Sequence, residues 1–228
     1  MAKKNYIYQE ILERLFTCQY RFGDRILVKE IGEEMGVSRH PIMTALYRLQ
    51  ERGFVTITAQ VGCEVVTPTP EAIQDFYRMF ALTEGLIAEL AASRASAADI
   101  SRLRLINDQI HALDATRNAN ADEYRRLNVD FHTQLHAMAK SPLLCSRQLA
   151  NFELSDFFIV QTCGFRAHLG LVADEHNAVI AAIVARQPEA ANRAAREHIE
   201  SVSRSVAAAL DKTSEGDEGS THGHLLEG

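Results

Sequence analysis

The 228-residue chain has no tryptophan, five prolines and four cysteines, none of them in a Cys-x-x-Cys spacing. Cys18, Cys63, Cys145 and Cys163 fall mostly in apolar stretches, which points to buried reduced thiols rather than a disulfide framework or a thiolate metal site. No apolar run approaches the roughly 18–20 residues of a membrane-crossing helix. The polar N-terminus enters a helical pattern at once, unlike a secretory leader, so a soluble cytoplasmic chain with no membrane partner is expected. A His-Glu-x-x-His pattern and a Gly-x-Ser-x-Gly elbow are also missing, which removes two common hydrolase signatures. What the chain does have is 46% hydrophobic residues, enough for a small domain and a larger one with its own core.

The N-terminal third carries the most specific pattern. Ile7, Ile11, Leu12, Leu15 and Phe16 form one apolar stripe of a first helix, and Arg21-Phe22-Gly23-Asp24 makes a turn. Val28, Ile31 and Met35 recur at helical spacing, Gly36-Val37 turns the chain, and Ser38 stands where its hydroxyl would cap the next helix. On that next helix Ile42, Leu46 and Leu49 face inward, leaving Ser38, Arg39, His40, Met43 and Tyr47 toward solvent. Two short helices joined this way are a helix-turn-helix, whose second helix meets base edges with its N-terminal end. Phe54 to Thr58 reads as a strand, Ala59 to Gly62 as a turn and Cys63 to Val66 as the returning strand, which completes a winged helix by about Thr67.

Charge alone would not have suggested a nucleic-acid partner. Residues 1–67 hold nine Lys/Arg against eight Asp/Glu, and residues 68–228 hold fifteen against twenty-two. Binding to DNA then rests on locally placed basic groups, dimerisation and low salt rather than on a basic domain.

Residues 5–66 resemble the winged-helix domain of the GntR family of bacterial transcription regulators, through Phe22 to Leu27, Gly36-Val37-Ser38-Arg39, Pro41, Ala45-Leu46, Leu49 and Gly62. The resemblance implies DNA contacts from Lys29, Ser38, Arg39 and the wing glycine Gly62. Met43 stands where the family usually carries a second arginine, and His40 replaces a common threonine and offers a compensating contact.

Thr67-Pro68-Thr69-Pro70 breaks the strand and starts a linker over residues 68–72. Beyond it helical periodicity runs near 70–93, 97–115, 120–139, 142–164, 168–186 and 188–211, an all-α bundle of six to seven helices over residues 73–212. From Thr213 to Gly228 the apolar pattern stops and a disordered tail is expected, His222 and His224 included. The fold class is therefore mainly α, with an N-terminal winged helix-turn-helix and a small β-hairpin wing.

His132, His176 and His198 lie on three different predicted helices, and Asn128 shares a helix face with His132 four residues on. Each histidine alone is more often a core or surface residue than a ligand. Three imidazoles and one oxygen donor converging in a bundle would suit Zn²⁺, Ni²⁺ or a similar divalent ion. His136, four beyond His132, is a rival ligand.

This half resembles the FCD-type effector domain of the FadR subfamily. The resemblance rests on Leu82 to Leu86 with Ala88 and Ala91-Ala92, on Asn128 to His132, and on Glu175-His176 with Ala181 to Ile183 and Arg196 to Ile199. It implies a divalent metal on Asn128, His132, His176 and His198, with a small carboxylate metabolite completing the coordination. Asn128 replaces the usual Asp, a weaker neutral ligand, and Phe80 stands where members often place an arginine. Candidate effector contacts are Arg78, Phe80, Asn128, His132, His176 and His198.

Joined together, these parts imply a homodimer on a palindromic duplex-DNA operator, controlled by a small effector, with repression relieved by the metabolite as the default. Two other classes stay open, a metal-dependent hydrolase built on the three histidines and a winged-helix protein-interaction module. The regulator reading expects no enzymatic activity.

Overall fold

The computed structural model describes residues 2–114, 121–165 and 169–218. They form nine helices and three short strands, in two compact units. One unit comprises residues 1–68 with 153–161, the other residues 69–152 with 162–228.

In the first unit α1 (Ala2–Phe16) packs against α3 (Arg39–Glu51), which follows α2 (Val28–Met35). The expected apolar stripes form its core: Ile7, Ile11 and Leu15 of α1, Ile31 of α2, and Ile42, Leu46 and Leu49 of α3 are all fully buried. Strands β2 (Val55–Thr58) and β3 (Gly62–Val65) make the expected hairpin. A two-residue strand β1 (Arg25–Ile26) joins its other edge, giving an antiparallel sheet in the order β1-β3-β2. Two residues carry no alternation, so this third strand had no signature in the sequence.

The end of α7 (Pro142–Gln161) belongs to this unit as well, though the sequence pattern placed it in the bundle. The cause is an aromatic cluster. Phe157 meets Phe54, Phe22 and Phe16 edge to face at 5.2, 5.5 and 6.5 Å between ring centroids, an arrangement that matches positive ring edges to negative faces. The Gln161 side chain donates to the Leu15 and Tyr20 carbonyls and accepts from the Phe22 amide, tying down the turn after α1. Arg52 pairs with Glu153.

The second unit contains α4 (Pro70–Arg94), α5 (Ala97–Asp114), α6 (Ala121–Met138), the start of α7, α8 (Leu169–Val184) and α9 (Pro188–Glu218). Their starts are written locally. Thr69 caps α4 by accepting from the Ala72 amide, with Pro70 at the first helical position, where its missing N–H costs nothing. Ser96 and Asp99 form a reciprocal capping box at α5. Helix α9 continues through Glu218, past the point where the apolar pattern ends; residues 219–228, with His222 and His224, lie outside the described residues.

Helices α4 and α9 make the most extensive contact of the unit, and Gly85 is what lets them close. A Cβ there would stand 2.7 Å from Arg196 Cγ and 2.9 Å from Asn192 Oδ1. The apolar stripe of α4, Ile73, Tyr77, Phe80, Ile87, Ala88 and Ala91, is interrupted by one acid, Glu84, which is fully buried.

Replacing Phe157 by alanine leaves a void between three rings and is expected to cost about 3–5 kcal/mol. Urea unfolding followed by far-UV circular dichroism measures it; a loss below about 1 kcal/mol would show that the ring cluster is not a main source of the unit's stability.

Candidate functional site

Two surfaces combine the residues singled out by the sequence, one in each unit. In the first, Gly36 ends α2 in the left-handed region at φ 61°, and the chain turns directly into α3. Ser38 occupies the N-cap position with extended backbone, but its hydroxyl makes no capping hydrogen bond, contrary to the expectation; it is left exposed with Arg39 and His40. Burial of Ile42, Ala45, Leu46 and Leu49 fixes which face of α3 points outward. Arg39 and Tyr47 are on that face, and Met43 is half-buried at its centre. Arg39 makes no hydrogen bond or ion pair with the described residues, so its guanidinium is available to a partner.

A concave surface runs between α3 and the hairpin, lined by Val28, Arg39, Met43 and Tyr47 on one side and residues 57–63 on the other. A second hollow beside it is lined by Lys29, Gly32, Glu33 and again Arg39. Lys29 is exposed and holds only a long 3.8 Å ion pair to Glu33. Gly62, at φ 134°, sits at the hairpin tip, where a side chain would be strained by the backbone itself. The sequence reading missed Gln50, whose side-chain oxygen accepts from the Ile57 amide at 2.7 Å and pins the hairpin to α3. No periodic pattern marks such a pairing.

In the second unit His132 of α6, His176 of α8 and His198 of α9 come together, one ring nitrogen of each lying within 4.8 Å of the others. All three are buried, as is Asn128 one turn before His132. Asn128 Oδ1, His132 Nε2 and His176 Nε2 are buried without a hydrogen-bond partner. An unpaired buried polar atom costs roughly 1–3 kcal/mol, so each of these three is a group that a ligand could satisfy. Nitrogen donors and one neutral oxygen fit a borderline transition ion such as Zn²⁺ or Ni²⁺. Aromatic rings enclose the donors: Phe131 stacks on His176 at 3.7 Å, and Phe152 lies 4.1 Å from His132.

His136, the rival ligand, is not in this trio but forms a second group with Glu84 and His132. Its Nε2 lies 3.0 Å from Glu84 Oε2, and His132 Nδ1 lies 2.8 Å from Glu84 Oε1. Gln148 Nε2 donates to the same carboxylate at 2.8 Å. Burial pushes the Glu84 carboxyl up, but the charge of His136 and the hydrogen bonds from both imidazoles outweigh it and hold the group below the ordinary carboxylate range. Burial lowers His132 to about 4 despite the opposing Glu84 hydrogen bond, and lowers His176 well below its ordinary value, helped by His198 and His132. Both rings are therefore neutral at pH 7, the form that ligates metal.

Phe80 is buried near this cluster, its ring 5.3 Å from Phe152. Arg78 is exposed, because two helical positions turn it about 200° from Phe80. The sequence reading missed Glu84 as a partner of this cluster; its spacing of four from Phe80 and from Ala88 is the signal that puts an acid on the buried stripe of α4.

The lowered values of His132 and His176 set a pH dependence with a definite sign. The unfolded chain, whose histidines titrate near 6.5, binds more protons than the fold, so stability is complete above about pH 6.5 and falls as pH drops toward 4. Glu84 stays ionised across this window and does not offset the loss. In metal-free protein the urea midpoint should drop between pH 7 and 4.5, and His132→Gln should remove a part on the order of 1–3 kcal/mol. Equal pH slopes for the two proteins would contradict a neutral buried ring.

Comparison with known proteins follows the same division. Residues 3–65 match the gntR family of bacterial regulatory proteins, and residues 75–201 match the FCD domain. The Nta operon transcriptional regulator of Aminobacter aminovorans is 31% identical over 125 residues, 55% of this chain and 58% of that protein. The match to the next curated relative, from Bacillus subtilis, likewise spans only 57% of that protein's length. The Exu regulon transcriptional regulator of Escherichia coli K12 is 25% identical over 84% of this chain and 79% of its own. Among solved structures, a GntR transcriptional regulator from Rhodococcus sp. RHA1 shares the fold with a TM-score of 0.72 at 18% identity, covering 92% of this chain and 99% of that one. E. coli McbR/YncC does so at 0.70 and 15%, covering 92% and 98%. With one domain model at each end, the second spanning more than half its length, the chain belongs to the gntR family of bacterial regulatory proteins and carries an FCD domain.

Proposed function

We propose that the protein is a transcriptional regulator that binds a palindromic operator in duplex DNA as a homodimer and responds to a small metabolite in its helical domain. The observation that carries the DNA reading is the unpaired, exposed Arg39 at the start of α3, shared by the two hollows that border the wing. Ser38, His40 and Lys29 stand around it for phosphate or base contacts, and Gly62 lets the wing backbone approach closely. Met43 presents a thioether at the centre of this face, suited to apolar contact such as a thymine methyl. The family membership and the named regulators among its relatives support the same reading.

In the helical domain Asn128, His132, His176 and His198 would hold a divalent ion of the Zn²⁺ or Ni²⁺ class. Such an ion, when bound, supplies open coordination positions for an anionic effector, a small carboxylate being the favoured class. Phe80 and Phe152 border the cluster with apolar rings where an acidic ligand would meet a guanidinium had arginine stood at Phe80. Exposed Arg78 is the weakest of the effector contacts read from the sequence. The regulator acts in this reading as a repressor released by its metabolite. The hydrolase and interaction-module readings find no support among relatives that are named as transcriptional regulators.

Selection from a random duplex library, followed by fluorescence anisotropy on the enriched site, tests the DNA reading. Arg39→Ala should weaken binding to that site by about 1–3 kcal/mol with the fold intact by circular dichroism. Enrichment of no duplex, or equal affinity of the variant, would defeat it.

A further inference from the structure

Each imidazole of the buried site has an oxygen acceptor behind it. His132 Nδ1 faces Glu84 Oε1 at 2.8 Å, His198 Nδ1 faces Glu175 Oε2 at 2.8 Å, and His176 Nδ1 faces Asn107 Oδ1 at 3.2 Å. An ionised carboxylate only accepts, so His132 and His198 must place their proton on Nδ1. Asn107 reaches the same result by a different route. Its amide nitrogen donates to the Ala173 carbonyl at 3.1 Å and to Asn177 Oδ1 at 2.9 Å, which leaves only its oxygen for His176. Three acceptors on α4, α5 and α8 thus demand the same tautomer from three rings on α6, α8 and α9.

We propose that Glu84, Asn107 and Glu175 are positioning residues of this site, presetting all three rings as the Nδ1–H tautomer so that each Nε2 carries a free lone pair before any ion arrives. The proposal rests on the metal reading above and deepens it. Glu84 has a second part to play. The four ligands are all neutral, and Glu84 is the fully buried carboxylate hydrogen-bonded to one of them, so it balances the charge of a bound dication from one ring away. Histidine ligands are commonly oriented by a carboxylate or carbonyl on the far nitrogen, and loss of that partner typically lowers metal affinity 10–100-fold.

Two measurements on the full chain test this. Long-range ¹H–¹⁵N NMR of the metal-free, unmodified protein at pH 7.5 should show His132, His176 and His198 as neutral Nδ1–H rings; an Nε2–H ring at any of them overturns the proposal, and this readout needs no variant to fold. Titration with Zn²⁺ alone against a competing chelator should then give binding by the unmodified protein, its loss in His132→Ala, and 10–100-fold weaker binding by Glu84→Gln. Unchanged affinity in Glu84→Gln, with binding abolished in His132→Ala, would overturn the positioning role and leave the metal reading standing. Absence of Zn²⁺ binding by the unmodified protein would overturn both.

Discussion

An imidazole taken out of water needs a partner for each ring nitrogen, and the helical unit buries four imidazoles, His132, His136, His176 and His198. Much of its interior follows from that requirement. Glu84 sits on the inward stripe of α4, where an apolar residue would pack more cheaply, because it accepts from His132, His136 and Gln148 together. With several partners on one carboxylate, the cost of desolvating the charge is offset by close, charge-assisted contacts. Gly85, the next residue, lets α9 approach α4 closely, and α9 carries His198. The Nδ1 side of the histidine cluster is satisfied, while Nε2 of His132 and His176 and Oδ1 of Asn128 are not. This one-sided satisfaction is what the proposed ligand site requires, whereas an ordinary polar core would have both sides closed.

The parts legible in the sequence were those written at short range. The inward faces of α1 and α3 followed from apolar spacing, whereas α4 begins at Pro70, inside the linker expected over residues 68–72, because Thr69 caps it. Asn128 and His132 shared a face by their separation of four, and their union with His176 and His198 came from resemblance, since periodicity does not say which helices meet. The long-range partners were illegible for the same reason: Asn107 is 69 residues from His176 and Gln161 is 146 from Leu15. Nothing in a local window distinguishes those side chains from solvated ones. Phe157 illustrates the limit from the apolar side, being one of three aromatic residues near the end of a helix whose position in the bundle pattern gave no sign that it belongs with Phe16, Phe22 and Phe54.

The winged-helix unit meets a different constraint, because its charges nearly cancel. Several of its basic side chains are committed within the unit: Arg14 to Glu10 and Glu34, Arg25 to Glu64, and Arg52 to Tyr8 and Glu153. Arg48 covers the Tyr8 ring at 4.1 Å. Arg39 is free of such commitments at the mouth of the concave face. In the proposed DNA complex, attraction to a phosphate backbone would therefore come from placement rather than from total charge, and the geometry of the face would count for more than in a basic domain. The Gln50 tie between α3 and the hairpin matters for that reason, since it holds the two walls of the face in register.

Asn128 and Glu84 bear jointly on which ion the proposed site would accept. Hard cations such as Mg²⁺ and Ca²⁺ bind through charged oxygens, and a ligand set of three imidazoles and one amide offers them little. With no charge among the proposed ligands and the carboxylate of Glu84 lying behind His132, direct electrostatic capture would be weaker while nitrogen donation would stay intact. Selection then rests on softness and geometry, which favours ions that prefer imidazole. The same arrangement leaves the bound dication less neutralised by its own ligands, so an incoming anion would meet more uncompensated positive charge. An asparagine in place of a carboxylate would thus weaken the ion's attachment while strengthening its pull on an acidic effector, and Phe80, by withholding a guanidinium, would leave that pull mainly to the ion.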